Sequence, residues 1–184
     1  MSEHSLLLYA LIISCEVAFW LVLLASLVAR YGLRRVALSR WFLHALPAID
    51  LLLIAFTALD LRGGTVATTA HGLAAAYVGF TVAFGSVAVR WADTQFAYRL
   101  ASGPPPPLAP SGWNAVRFDL ELWLRCIAAW IISFVLIELL VAYVGNEAVT
   151  EPLYAWHKFG FGCVFFWFVF GPVWSLLLVR RRKR

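Results

Sequence analysis

Residues 159–184 read FGFGCVFFWFVFGPVWSLLLVRRRKR, a run of 21 residues without a charged side chain followed directly by five basic residues. An α-helix of about 20 apolar residues is long enough to cross the hydrocarbon core of a bilayer, which is roughly 30 Å thick. Four more apolar runs of similar length precede it, at residues 5–29, 41–61, 65–89 and 120–144. The sequence therefore predicts an all-α integral membrane bundle of five transmembrane helices, forming one domain over residues 1–184.

The composition of the whole chain supports a membrane location. Residues of the types AVILMFWYC make up 62% of the 184 positions, charged residues make up 14%, and the mean hydropathy is +0.82. Soluble domains carry about 45–50% apolar and about 25% charged residues. Because a soluble fold of this size cannot bury so much apolar surface, the composition excludes a cytosolic enzyme, a secreted disulfide scaffold and a disordered regulator.

The basic residues predict the orientation of the bundle. Of the 15 lysines and arginines, 13 fall on one side of the five-helix arrangement, in the loop after the first helix, in and just beyond the loop 90–119, and in the tail 180–184. Only Arg62 and Lys158 fall on the other side. Because basic loops stay on the cytoplasmic side, we expect the N-terminus outside and the C-terminus inside a bacterial plasma membrane.

The basic tail 180–184 has two interpretations. A run of five basic residues can bind nucleic acid, but this run has no further basic surface beside it, and an orientation signal that also contacts anionic lipid explains it more simply. We therefore expect the lipid bilayer as a partner, with anionic lipid at the tail and no nucleic acid. A homo-oligomer and a second membrane protein both remain open as protein partners.

The predicted cytoplasmic loop 90–119 is expected to be partly helical. Residues 90–101 contain no helix breaker, so they are predicted to prolong the third helix into the cytoplasm. Pro104–Pro107 then end that helix, because proline lacks the amide proton and clashes with the preceding turn. After the prolines, an apolar face that starts at Trp113 repeats at a spacing of 3–4 residues. This pattern predicts an interfacial helix leading into the fourth span.

Ionisable side chains inside a membrane span are costly, so each needs a partner or a purpose. Glu16 and Asp50 lie near the predicted midplane and Glu138 lies nearer the outside, with no lysine or arginine at comparable depth. Together with His71 they form a candidate intramembrane polar or ion site. Two roles remain open: neutral groups that hydrogen-bond between helices, or groups in a wet cavity that bind protons or a cation.

The sequence carries no motif for an enzyme, a metal or a cofactor. It has no G-x-S-x-G, no H-E-x-x-H and no phosphate-binding loop, which favours a protein without catalytic activity or cofactor. Its three cysteines lie on three different predicted helices and form no C-x-x-C pair. A surface metal site could be drawn from four residues, but without a diagnostic spacing they are better read as isolated polar groups. These four are His4, Asp60, His71 and His157.

The third helix is predicted to pack closely against a neighbour. Small residues repeat along it every four positions, and such small-xxx-small ladders let two helix backbones approach each other. The ladders consist of Gly72 and Ala76, and of Ala75, Gly79 and Ala83. They could form a dimer face, but in a five-helix bundle an internal contact is the expected use.

Four stretches of the chain are similar to known sequences. They are ALIISCEVAFW at 10–20, LPAIDLLLIAFTALDLR at 46–62, AHGLAAAYVGFTVAFG at 70–85 and RWADTQFAYRLASGPPP at 90–106. These stretches resemble a family of small uncharacterised multi-pass membrane proteins of bacterial cytoplasmic membranes. The resemblance covers roughly the first two-thirds of the chain, and it implies a bacterial membrane protein without implying a mechanism.

Two functions of different classes are therefore compatible with the sequence. The first is an accessory or scaffolding membrane subunit that acts through the third helix and the cytoplasmic loop. The second is a small proton- or cation-handling transporter or channel unit that uses Glu16, Asp50 and Glu138. Whether these acids pack dry or line a hydrated cavity is the property that separates the two.

Overall fold

The computed structural model describes residues 3–100 and 104–181 of the chain, and these residues form helices and connecting segments without a β-strand. Five helical segments are long and apolar enough to cross a membrane. The first four are α1 (Glu3–Leu27), α2 (Val36–Arg62), α3 (Thr69–Leu100) and α4 (Trp113–Val144). The prediction of an all-α bundle with five membrane-spanning segments is confirmed. Residues 182–184 of the predicted basic tail lie outside the described residues.

The fifth span is built from several pieces. A short helix α5 (Glu147–Thr150) and a 3₁₀ turn (Glu151–Tyr154) lead into α6 (Ala155–Phe168). A π-helical turn (Val169–Val173) then connects α6 to α7 (Trp174–Arg181). This turn contains Pro172, whose missing amide proton interrupts the regular α-helical hydrogen bonding at that point.

The helices are longer than the apolar runs that predict them. The third helix continues from residue 89 to Leu100, and the fourth begins at Trp113, seven residues before residue 120. An apolar run marks only the part of a helix that suits hydrocarbon, whereas the helix itself continues until the backbone meets a breaker. The predicted prolongation of the third helix and the predicted helical lead into the fourth are therefore both present.

The helices pack mainly with their neighbours along the chain. The most extensive contacts are those of α1 with α2 and of α3 with α4, and α2 also packs against α3. On its other sides α4 contacts α6, α7 and the π-helical turn between them. The fourth helix therefore joins the first three spans to the fifth.

The contact between α3 and α4 depends on small side chains. A Cβ atom added at Gly79 would overlap the carbonyl oxygen of Ala129 and the hydroxyl of Ser133, both on α4. Ala75, one turn earlier on α3, is completely buried. The other three small residues of the predicted ladders, Gly72, Ala76 and Ala83, are buried as well. These residues thus lie inside the bundle of one chain.

An aromatic cluster around Trp130 joins α3, α4 and α6. The Trp130 ring is 5.7 Å from that of Phe80 on α3 and 5.8 Å from that of Phe159 on α6, measured between ring centroids. Gly160 makes this approach possible, because a Cβ atom at that position would lie 2.6 Å from both Trp130 and Phe134. The fifth span is thus held to α4 by aromatic packing over a glycine.

We predict opposite effects for two glycine-to-alanine changes on α3. Gly79→Ala should lower the melting temperature, because overpacking against the α4 backbone typically costs about 1–3 kcal/mol. Gly85→Ala is the matched control, since a Cβ there meets no atom within 4 Å. This control should be neutral or slightly stabilising, because alanine favours a helix over glycine by up to about 1 kcal/mol. Thermal unfolding of the purified variants in detergent micelles compares them, and equal melting temperatures would contradict the close contact at Gly79.

Candidate functional site

A closed polar cluster lies where α2 turns into α3. The carboxylate Oδ2 of Asp60 is 3.1 Å from Nε2 of His71, and the two side chains are only 2% and 1% exposed. The hydroxyl of Thr65 donates a 2.9 Å hydrogen bond to the other carboxylate oxygen, Oδ1. On the far side of the imidazole, the backbone N–H of Thr68 donates to Nδ1 at 2.9 Å.

These contacts determine the tautomer of His71. Because Nδ1 accepts the hydrogen bond from Thr68, the ring proton is on Nε2, which donates to Asp60. Both carboxylate oxygens of Asp60 and both ring nitrogens of His71 are thereby satisfied. The pair holds the α2–α3 hairpin together, because it is buried and all its hydrogen bonds are formed. Neither ring nitrogen of His71 has a lone pair left to bind a metal ion.

The structure brings together only part of the four-residue set considered for a surface metal. Asp60 and His71 are in contact, whereas Nε2 of His157 lies 3.3 Å from the Oε1 of Glu138. The side chain of His4 lies outside the described part of the structure. Within residues 3–100 and 104–181, no three His, Cys, Asp or Glu side chains are arranged to hold a metal ion.

Asp50 is a buried acid of the predicted ion site. It is 3% exposed, and Thr81 of α3 lies beside its carboxyl group. The second carboxyl oxygen, Oδ2, is buried without a hydrogen-bond partner in the described part of the chain. Asp50 lines a cavity of about 10 Å³ between α1, α2 and α3, whose other walls are Cys15, Phe19, Trp20, Ile49, Leu53 and Tyr77.

This small cavity limits what can sit beside Asp50. A cavity needs a volume of at least about 10–15 Å³ to hold one water molecule, and this cavity has about 10 Å³. A single water is therefore the largest occupant that the space accepts. An isolated ionised carboxylate among apolar side chains is very costly. The surroundings of Asp50 therefore favour a neutral carboxyl group.

The other acids of the predicted site lie in different surroundings. The Glu138 side chain is 56% exposed and pairs with His157, which in turn stacks on Phe134 with 4.6 Å between ring centroids. Glu138 does not line the Asp50 cavity, and His71 belongs to the Asp60 cluster. The fourth candidate, Glu16, lies on α1, but its side chain is outside the described part of the structure. Asp50, Glu138 and His71 thus occupy three separate places.

Several hydrogen bonds between helices could not be inferred from the sequence. Ser26 on α1 and Ser39 on α2 are both 1% exposed, and their hydroxyls are 3.0 Å apart. Nη1 of Arg125 on α4 donates to the carbonyl oxygen of Ala83 on α3 at 2.9 Å. Three further contacts of this kind are Trp123 Nε1 to the Val164 carbonyl, Ser175 to Asp119, and Arg30 to Asp93. Their only signal in the sequence is a polar residue within or next to an apolar run, which does not identify its partner.

The fold and its polar interior define the class: a small multi-pass helical membrane protein. The chain is 36% identical over 143 residues to the uncharacterized membrane protein YmcC of Bacillus subtilis, and the match covers 78% of this chain and 77% of that protein. The chain therefore belongs to the YmcC family, which confirms the resemblance to small multi-pass bacterial membrane proteins. No protein-family model matches the chain, and no solved structure matches it.

We predict that the two buried aspartates of α2 respond differently to amide substitution. Asp60→Asn should lower the melting temperature, because the amide offers one acceptor oxygen to the two donors, Thr65 and His71, and an unsatisfied buried donor costs about 1–3 kcal/mol. Asp50→Asn should be nearly silent, since an amide has nearly the size of a neutral carboxyl group and can hydrogen-bond much as it does. Thermal unfolding in one detergent compares the pair. An unchanged Asp60→Asn variant would contradict the closed cluster.

Proposed function

We propose that this protein is an accessory or scaffolding membrane subunit, located in a bacterial membrane. One observation carries the proposal: three polar side chains of the bundle hydrogen-bond across to a neighbouring helix. Ser26 pairs with Ser39, Asp60 with His71, and Arg125 with the backbone of Ala83. Each pair joins two helices, and the Ser26–Ser39 and Asp60–His71 pairs are buried, where water does not compete for the bond. The interior is therefore arranged to hold helices in place.

The Asp50 cavity supports this assignment over transport. A carrier or channel places its intramembrane acids along a water-filled path, but the space beside Asp50 has a volume of about 10 Å³ and mostly apolar walls. Hard divalent cations take about six or more oxygen ligands, and the apolar side chains that form most of this wall supply none. The mostly apolar walls therefore provide too few ligands for a dehydrated metal ion.

One observation favours the alternative, a proton-handling unit. The Oδ2 atom of Asp50 is buried without a partner among the described residues, and a carboxyl group in that position can gain or lose a proton through a single water molecule. In this alternative Glu16, Glu138 and His71 would act as further polar groups along the bundle. The alternative therefore depends on proton transfer at Asp50.

A flux measurement distinguishes the two functions. Wild type and the Asp50→Asn variant, reconstituted in liposomes with an imposed pH or sodium gradient, should both show the flux of protein-free vesicles. This result is expected because the cavity at Asp50 does not provide a path for ions. A gradient-driven flux in wild type that is lost in Asp50→Asn, with the variant still folded, would overturn the accessory role and establish the alternative, because an amide cannot ionise.

The proposed accessory role includes an orientation and a set of partners. We place the N-terminus outside and the C-terminus inside, because 13 of 15 basic residues fall on the inner side. The tail would then contact anionic lipid of the inner leaflet, without a role in nucleic-acid binding. A second copy or another membrane protein would meet a lipid-facing surface. An aromatic surface of this kind, with side chains 56–68% exposed, consists of Phe161, Phe165, Phe166, Phe170 and Trp174.

Cysteine labelling tests the orientation. Val66 lies in the α2–α3 connection and is 56% exposed, and Ser111 lies in the exposed segment before α4. In intact cells, a membrane-impermeant maleimide should label Val66→Cys and should reach Ser111→Cys only after the membrane is opened. The native cysteines Cys15 and Cys126 are buried, and the unsubstituted protein serves as the background. Labelling of Ser111→Cys in intact cells would reverse the proposed orientation.

A further inference from the structure

A second and much larger cavity lies between α1, α2 and α3, at the end of the bundle where α1 turns into α2. Its volume is about 240 Å³, and its walls are almost entirely apolar. Leu23 and Leu27 come from α1, Leu43 from α2, and Ala92 and Phe96 from α3. The two serines on the wall, Ser26 and Ser39, hydrogen-bond to each other. Apolar walls of this kind favour an apolar ligand.

Charged groups line the same cavity. Arg30 and Asp93 both form part of its wall, and Nη2 of Arg30 is 2.7 Å from Oδ2 of Asp93. The hydroxyl of Tyr31 donates to Oδ1 of Asp93 at 2.5 Å, and the Tyr31 ring stacks on Phe96 at 4.8 Å between centroids. Asp93 thereby holds the Arg30 guanidinium at the cavity while the Arg30 side chain remains 26% exposed. A guanidinium has five N–H donors, so donors remain for a second acceptor.

The local backbone is irregular next to this cavity. Arg30 and Tyr31 lie in a π-helical turn, Val28–Gly32, that ends α1. Arg34, two residues later, has a φ of 55°, a left-handed conformation that is unfavourable for a residue other than glycine. Single π-helical turns and residues other than glycine with a positive φ are both frequent at functional sites. Here the π-helical turn carries the two side chains that meet Asp93.

The charge at this end of the bundle is positive. The Arg30–Asp93 pair is neutral as a whole, whereas Arg34, Arg35 and Arg90 are exposed and lie close to the cavity residues along the chain. A ligand that matches these features has an apolar chain for the cavity and an anionic group for the arginines. Phospholipids with a net negative charge have this chemistry, and the lipid bilayer surrounds the site.

We propose that the cavity between α1, α2 and α3 binds one anionic phospholipid, with an acyl chain against Leu27, Leu43 and Ala92 and the phosphate at Arg30. The lipid would fill the groove between the three helices. This site is independent of the accessory role, because it would be present in a protein of either proposed function.

The test uses the purified full chain in a neutral detergent with two lipid probes that carry the same acyl chains, phosphatidylglycerol and phosphatidylcholine. Native mass spectrometry counts the bound lipids and measures their affinities. Wild type should retain one phosphatidylglycerol with an affinity roughly tenfold above that for phosphatidylcholine, a preference of about 1.4 kcal/mol. Equal affinity for the two lipids would overturn the proposal.

Two variants with matched controls locate the lipid. Ala92→Phe fills the cavity and should abolish the tightly bound lipid, whereas Ala55→Phe on the exposed face of α2 should not. The double variant Arg30→Gln with Asp93→Asn removes both charges together, and it should lose the preference for phosphatidylglycerol while Arg40→Gln keeps it. Melting temperatures without added lipid show that each variant is folded. Lipid binding that is unchanged in both folded test variants would assign the bound lipid to the general surface and refute the site.

Discussion

A polar group inside an apolar bundle is costly unless it forms a hydrogen bond, and neither lipid nor the apolar side chains around it offer one. The Asp60–His71 pair shows how this constraint is met. Its two side chains are almost completely buried, and Thr65 and Thr68 supply the remaining hydrogen bonds at the ends of the pair. The turn between α2 and α3 is thereby tied to the first residues of α3, and the hairpin that it forms is the surface against which α1 and α4 pack.

Close helix packing adds to this constraint. With little hydrophobic driving force between helices in lipid, association depends on shape and on hydrogen bonds between helices. Gly79 lets α3 meet α4 at backbone distance, and Gly160 lets α6 meet the Trp130 ring. The guanidinium of Arg125 reaches from α4 to the Ala83 carbonyl across the same α3–α4 contact. Packing and polar pairing thus act on the same pairs of helices.

The interior acids show how the tertiary arrangement assigns different roles to similar residues. Asp50 and Asp60 lie on one helix, ten residues apart, and both are nearly completely buried. Asp60 meets a histidine and a threonine, whereas Asp50 meets Thr81 and a cavity with room for one water. Glu138 is exposed and pairs with His157. The sequence grouped Asp50 and Glu138 because they are similar in type and isolated from basic residues, but depth along a helix says nothing about which face a side chain occupies.

The larger cavity, at the other end of the molecule, also could not be predicted from the sequence. Asp93 appears in the sequence as one acid within a basic segment, and nothing in its spacing connects it to Arg30 more than 60 positions earlier. Their 2.7 Å contact exists because α1 and α3 both pack beside α2. An apolar cavity is likewise invisible to a hydropathy pattern, because its walls consist of the same leucines and alanines that would otherwise fill it.

The sequence by itself determined the class of the protein, the number of apolar segments long enough to span a membrane, and the continuation of α3 to Leu100. These properties follow from the apolar content of each run, from its length and from helix breakers, which all act locally along the chain. The tertiary structure alone decided that His71 pairs with Asp60, that Asp50 faces a cavity of about 10 Å³ and that Arg30 meets Asp93. Such pairings depend on the rotation and crossing of helices, which are set by side-chain packing over the whole bundle and not by any one segment.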